Sequence, residues 1–178
     1  CSSDPLVVAW DYVFNLCSSL RTFAATNGQG YDIWMGSAIT AGQAFQNMSS
    51  LEVGPALYTT SALTVTQSMF ASNGAMRSIP IFNTSGVTSG IGMFQNCTAL
   101  TTVPAFDWTS LANASSMFLG CAALTFVPPS SPMNALSTLS QTFQSCSNLQ
   151  AAPSWDYSKV TSLNAAFNSC SMLTDTSA

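Results

Sequence analysis

One phrase, Phe-x-x-Cys-x-x-Leu, returns along almost the whole chain. It stands at Phe14, Cys17 and Leu20, and again at Phe94, Cys97 and Leu100. Further copies follow at Phe118, Cys121 and Leu124, at Phe143, Cys146 and Leu149, and at Phe167, Cys170 and Leu173. Two degenerate copies, Phe45-Met48-Leu51 and Phe70-Asn73-Met76, fill the gap, so the seven phenylalanines lie 31, 25, 24, 24, 25 and 24 residues apart. Other columns keep the same beat. Proline follows the Leu position by four residues at Pro55, Pro80, Pro104, Pro128 and Pro153, and an aliphatic residue precedes the next Phe at Leu63, Val87, Leu111, Leu136 and Val160.

A unit of about 24 residues cannot bury its apolar side alone, whereas stacked copies close a linear core. The expected fold is therefore an α/β repeat solenoid. Each coil is expected to carry a short parallel strand near Leu100 to Val103, ending at the proline that lacks an N–H. A short helix or 3₁₀ turn is expected around Leu111 to Phe118, where Leu111, Ala114 and Phe118 form an approximate helical stripe. The whole of 1–178 reads as a single stack and a piece of a longer array. Residues 1–37 form a divergent first coil with an inserted loop over Ala24 to Ser37, 38–173 carry the regular repeats, and 174–178 form a truncated end. Cys1 at the start fits either a fragment boundary or an acylated lipoprotein N-terminus.

The pattern Met-Phe-x-x-Cys-x-x-Leu-x-x-Val-Pro, best from Met69 to Leu173, resembles the BspA-like leucine-rich repeats of bacterial and protozoan surface proteins and phage virion proteins. The resemblance implies a right-handed leucine-rich-repeat-like coil stack and a role in attachment, with no shared catalytic residue. Met48 and Asn73 in the Cys column, the loop around Asn27 to Trp34 and the stretch Val127 to Pro132 depart from it.

Composition narrows the chemistry. Charged residues make up 6% of the chain, against roughly 25% in ordinary globular proteins, and the net charge is -4. Three cations, Arg21, Arg77 and Lys159, cannot neutralise a phosphate backbone, so nucleic acid is excluded as a partner. No apolar run approaches the ~20 residues that span a bilayer. The chain has no histidine, which removes the commonest general base and a common zinc ligand.

The isolated cysteines Cys17, Cys97, Cys121, Cys146 and Cys170 lack the paired spacing of zinc sites and read as a buried core column, with occasional disulfides as the alternative. Asp107, Asp156 and Asn83 share a position broken at Ser131 and are expected to close Asx turns. A calcium site or a glycosidase carboxylate pair is the competing reading, without a supporting motif. Asn-x-Ser/Thr at Asn47, Asn83, Asn96 and Asn113 matches chance in a Ser- and Thr-rich chain, and the mixed residues after the Leu position give no ice-binding threonine ladder. Trp108 and Tyr157 share a mixed column with Thr59, Thr84 and Pro132 that is expected to be exposed. With Trp34 and Tyr31 of the loop they are the candidate binding aromatics. Neither a cofactor nor a metal is expected.

Together these features predict a non-enzymatic extracellular module on a cell surface or a virion, such as a phage tail or fibre, that holds a host-surface protein or glycan. The alternative is a structural spacer or fibre subunit whose partners are neighbouring copies in a homo-oligomer.

Overall fold

The computed structural model describes residues 9–23, 33–36, 38–129 and 132–174. The seven phenylalanines stack in a single file: successive ring centroids from Phe14 to Phe167 lie 5.2 to 5.7 Å apart with planes within 11° of parallel. Beside them run Leu51, Met76, Leu100, Leu124 and Leu149, and on the far side Leu63, Val87, Leu111 and Leu136, all without exposure. The period seen in the sequence is thus the period of the core. The molecule has a repeat fold.

The backbone turns at each phenylalanine. Every described residue with positive φ, twelve non-glycine residues together with Gly92 and Gly120, stands two places before or two places after one of the seven rings. A left-handed conformation costs an L-residue roughly 1 to 2 kcal/mol. The offsetting bonds are visible: in every described repeat but the last, these residues and two alternate neighbours donate their N–H groups to the next repeat. Gly92 donates to Ser115 (2.9 Å), Phe94 to Met117 (2.9 Å) and Asn96 to Leu119 (2.7 Å). Such a path cannot be helical, because its alternate N–H groups leave for the neighbour instead of the carbonyl four residues back. The segment Leu111 to Phe118, expected as a short helix, is therefore a chain of turns, and no described residue is helical. Consequently no helix among them is long and apolar enough to cross a membrane.

Extended pairing is sparse. Parallel bridges join Ala9, Thr40, Val65, Ser89, Asn113, Thr138 and Ser162 in succession, five residues before each ring. In the region expected to be a strand, pairing is reduced to isolated bridges at single residues, such as Thr102 to Phe126 and Val53 to Ser78. The two-residue strands β1 (Ile33–Trp34) and β2 (Leu57–Tyr58) lie elsewhere and pair in parallel, with Ile33 opposite Leu57. This register corrects the boundary of the inserted loop. Ile33 and Met35 are buried in the core, so they belong to a repeat and the insertion ends before them.

The Cys column has a specific task. Each thiol of Cys97, Cys121, Cys146 and Cys170 donates to the carbonyl of the preceding repeat's phenylalanine, at 3.0 to 3.1 Å. Cys97, Cys121 and Cys146 are fully buried, and Cys170 is half-buried. Cys17 departs from the expected core column: it is exposed. Its first-repeat position is the reason, since no described repeat lies beyond it, whereas Cys97, Cys121 and Cys146 are covered on both sides.

Candidate functional site

The face that carries β1 and β2 alternates inward and outward residues, as extended chain must. Met35, Thr59, Thr84, Trp108 and Met133 point inward and are buried, while Trp34, Tyr58, Asn83, Asp107 and Asp156 form the neighbouring outward column. Trp108 is therefore not the exposed contact expected of it. It is 1% exposed and packs on Phe106 with centroids 5.2 Å apart. The threonines of that column misled because polar residues suggest solvent. Here their hydroxyls are satisfied inside, Thr59 donating to the Asn83 carbonyl (2.9 Å) and Thr84 to the Asp107 carbonyl (2.6 Å). Nor does Pro132 share the column, since Met133 takes the place.

Tyr157 is half-buried. Its hydroxyl donates to the Pro153 carbonyl at 2.6 Å, and burial pushes the phenol up to about 12. Tyr31 lies outside the described residues. Trp34 is the candidate that meets solvent, at 55% exposure. Its indole lies flat on the Tyr58 ring, with centroids 3.8 Å apart and planes 8° from parallel. Gly36 makes room for the pair: a Cβ there would stand 3.0 Å from Trp34 Nε1 and 3.1 Å from Tyr58 Cε1. The β1–β2 register holds the two side chains one above the other.

Next to the rings lies a shallow open depression of about 350 Å³, lined by Tyr58, Ile81, Asn83, Ala105 and Asp107 over the buried Phe82. Ile81 is 62% exposed. Asn83 and Asp107 are fixed by turns of the expected kind. The Asn83 Oδ1 accepts from the Ser85 N–H (3.0 Å), and Asp107 Oδ1 from the Thr109 N–H (3.0 Å) and hydroxyl. Asp156 accepts likewise from the Ser158 N–H at 2.9 Å, and the hydrogen bonds of the Ser158 side chain and backbone hold its carboxyl below the usual range. Tyr58 and Ile81 were not legible as site residues. Finding them required knowing that Ile33 to Met35 continues a repeat column. Among the described residues no group of three Cys, Asp or Glu side chains could hold a metal ion.

Stacked turns around one file of rings make up a repeat fold. A crystal structure of a leucine-rich repeat protein from Eubacterium ventriosum has a similar fold, with a TM-score of 0.62 and 23% identity over 82% of this chain. The chain spans 38% of that protein's length. The chain belongs to the family described as Mycoplasma protein of unknown function, DUF285, whose model matches residues 13–127 and 133–176. A comparison with curated proteins found no match.

Proposed function

We propose that this chain is a non-enzymatic attachment module, a right-handed leucine-rich-repeat-like solenoid that works outside the cell, on a cell surface or a virion. It holds a host-surface protein or glycan on the outward column of β1 and β2. The observation that carries this reading is the flat Trp34–Tyr58 pair, an aromatic surface left in solvent beside the Ile81, Asn83 and Asp107 depression. Stacked rings next to fixed hydrogen-bond acceptors suit a sugar face or a protein hot spot. The β1–β2 register and the close fit at Gly36 hold the pair in place, which lowers the ordering cost on binding. A non-enzymatic role is supported by the chain's lack of histidine and by the burial that pushes the Cys97 and Cys146 thiols up to about 12, away from nucleophilic use.

The test is binding of the purified chain to a glycan array and to immobilised extracellular matrix proteins. We expect at least one ligand, with affinity reduced about tenfold or more by Trp34→Ala, the loss of a hot-spot aromatic. Binding that ignores both Trp34→Ala and Tyr58→Ala would remove the site, and no binding by the intact chain would remove the attachment reading.

A further inference from the structure

The depression beside Tyr58 joins three chemistries in one row. Tyr58, Asn83 and Asp107 follow one another in the outward column, one per repeat, and Ile81 and Ala105 stand two residues before the last two, on the same face. The aromatic ring and the carboxylate therefore lie at opposite ends, with exposed aliphatic side chains alongside. Ring and carboxylate both favour positive charge, and the strip between them favours methylenes. At about 350 Å³ the hollow is at the small end of ligand sites.

The chain itself supplies no cation to this place. Among the described residues, which include all three of its cations, Arg21 pairs with Glu52 at 3.6 Å, Arg77 stands in that same column with its N–H on the Glu52 carbonyl, and Lys159 donates to the Asn134 carbonyl at 2.9 Å. None of them lines the depression. Thr109 holds Asp107 Oδ1 through its N–H and its hydroxyl, neutral donors that fix the carboxylate and leave its charge intact.

We propose that the depression takes the side chain of a lysine from a partner protein, its methylenes on Ile81 and Ala105 and its ammonium between the Tyr58 ring and the Asp107 carboxylate. This rests on the reading of the outward column as an attachment face, and narrows that reading to a protein ligand. A sugar is a poorer occupant, because its hydroxyls point several ways and Ile81 and Ala105 would leave some of them unpaired. An arginine fork needs both carboxylate oxygens as a pair, and Thr109 already engages one of them. An ammonium acts as a point charge and does not need the pair. The net charge of -4 works in the same sense over a longer range, steering a basic surface towards the chain.

The test is NMR titration of the chain with acetyl-Ala-Lys-Ala-amide and with the same peptide carrying norleucine, which keeps the aliphatic stem and lacks the charge. The lysine peptide is expected to shift the amide signals of Tyr58, Asn83 and Asp107, to bind about fivefold or more tightly than the norleucine peptide, and to weaken as salt rises. Asp107→Asn should weaken it about fivefold or more. That variant keeps the turn, since Asn83 makes the same bonds to the Ser85 N–H and hydroxyl. Glu52→Gln removes an equal charge outside the depression and should leave the titration as it was. Equal binding of the two peptides overturns the proposal, as does a loss that Glu52→Gln reproduces, which would make net charge the cause. Absence of shifts at every soluble peptide concentration overturns it too, and shifts given by methyl glucopyranoside in place of the lysine peptide would assign the depression to a sugar. A matrix protein or glycan held through Trp34 while the lysine peptide is inert removes this inference alone. No ligand on the arrays removes the attachment reading, whatever the peptides do.

Discussion

The carboxamide of Asn73 donates to the carbonyl of Phe45 at 2.8 Å, the bond that a thiol makes in four other repeats. Its oxygen also accepts the Met48 N–H at 2.7 Å, so one buried side chain satisfies two backbone groups of the preceding repeat. An apparent defect in the Cys column is a second solution to the same requirement. Asn73→Ala leaves a carbonyl and an N–H unpaired in the core, at about 1 to 3 kcal/mol each. Asn73→Cys restores the donor and offers the Met48 N–H a weaker sulfur acceptor, as the thiols of Cys97, Cys121 and Cys146 do for the backbone one repeat back, and should recover part of that loss. Urea unfolding should rank intact chain, Asn73→Cys and Asn73→Ala in that order, and equal midpoints for the two variants would sink the account.

The ring file predicts a gradient from centre to end. Phe118 is fully buried between Phe94 and Phe143, at 5.5 and 5.4 Å, whereas Phe14 is half-buried, with Phe45 and Phe23 as its ring neighbours. Phe118→Ala should cost about 3 to 5 kcal/mol. Phe14→Ala should cost clearly less. Denaturant midpoints measured side by side decide it, and a larger effect at Phe14 would contradict the packing described.

Alkaline pH should weaken the fold. Burial pushes Cys97 and Cys146 up from 9.0 to about 12 and raises Cys121 as well, while Tyr157 rises from 10.0 to about 12 for the same reason. The native state therefore keeps protons that the unfolded chain has already released. Stability is whole below pH 9 and declines as pH climbs from about 9 towards 12, by at most about 1.4 kcal/mol per pH unit for each thiol. Urea midpoints over this window should fall, and less steeply in Cys146→Ala. A flat profile would show that the thiols are not held as described.

Gly86 should tolerate no side chain. A Cβ there would overlap the Ser61 carbonyl and stand 3.0 Å from the Leu63 oxygen, both backbone atoms of the preceding repeat. At Gly74 the nearest atom is the Thr98 hydroxyl at 3.4 Å. Gly86→Ala should therefore lower stability by about 1 to 3 kcal/mol, the usual range of overpacking. Gly74→Ala should change it little. Thermal unfolding of the two variants provides the comparison, and a similar shift in both would refute the close approach at Gly86.

Phe94, Leu100, Leu111 and their equivalents were legible because each recurs at the period of the stack, and a column repeated that often has only the core to occupy. The turns around them were not. Leu111, Ala114 and Phe118 are spaced as on a helix, yet the same spacing faces one side when the chain turns through left-handed residues such as Ser116 and Gly120. Only Gly92, Gly120, Asn47 and Asn96 hinted at it, two residue types that visit that region readily. Trp108 was misplaced for a related reason: its column mates Thr59 and Thr84 look like surface residues, although each finds a carbonyl inside. Trp34 met solvent as expected, but its partner Tyr58 emerged only once Ile33 was seen opposite Leu57.

Each junction between repeats is made by the same alternate backbone bonds and the same pair of parallel rings, so any repeat meets its neighbours through surfaces that the others also offer. A block of 24 or 25 residues can then be lost or duplicated in one genetic step without a new junction having to arise. Reach becomes a heritable quantity that varies separately from the strength of each joint. The outward residues at Trp34 and Tyr58 can diverge on a frame that lengthens or shortens independently of them.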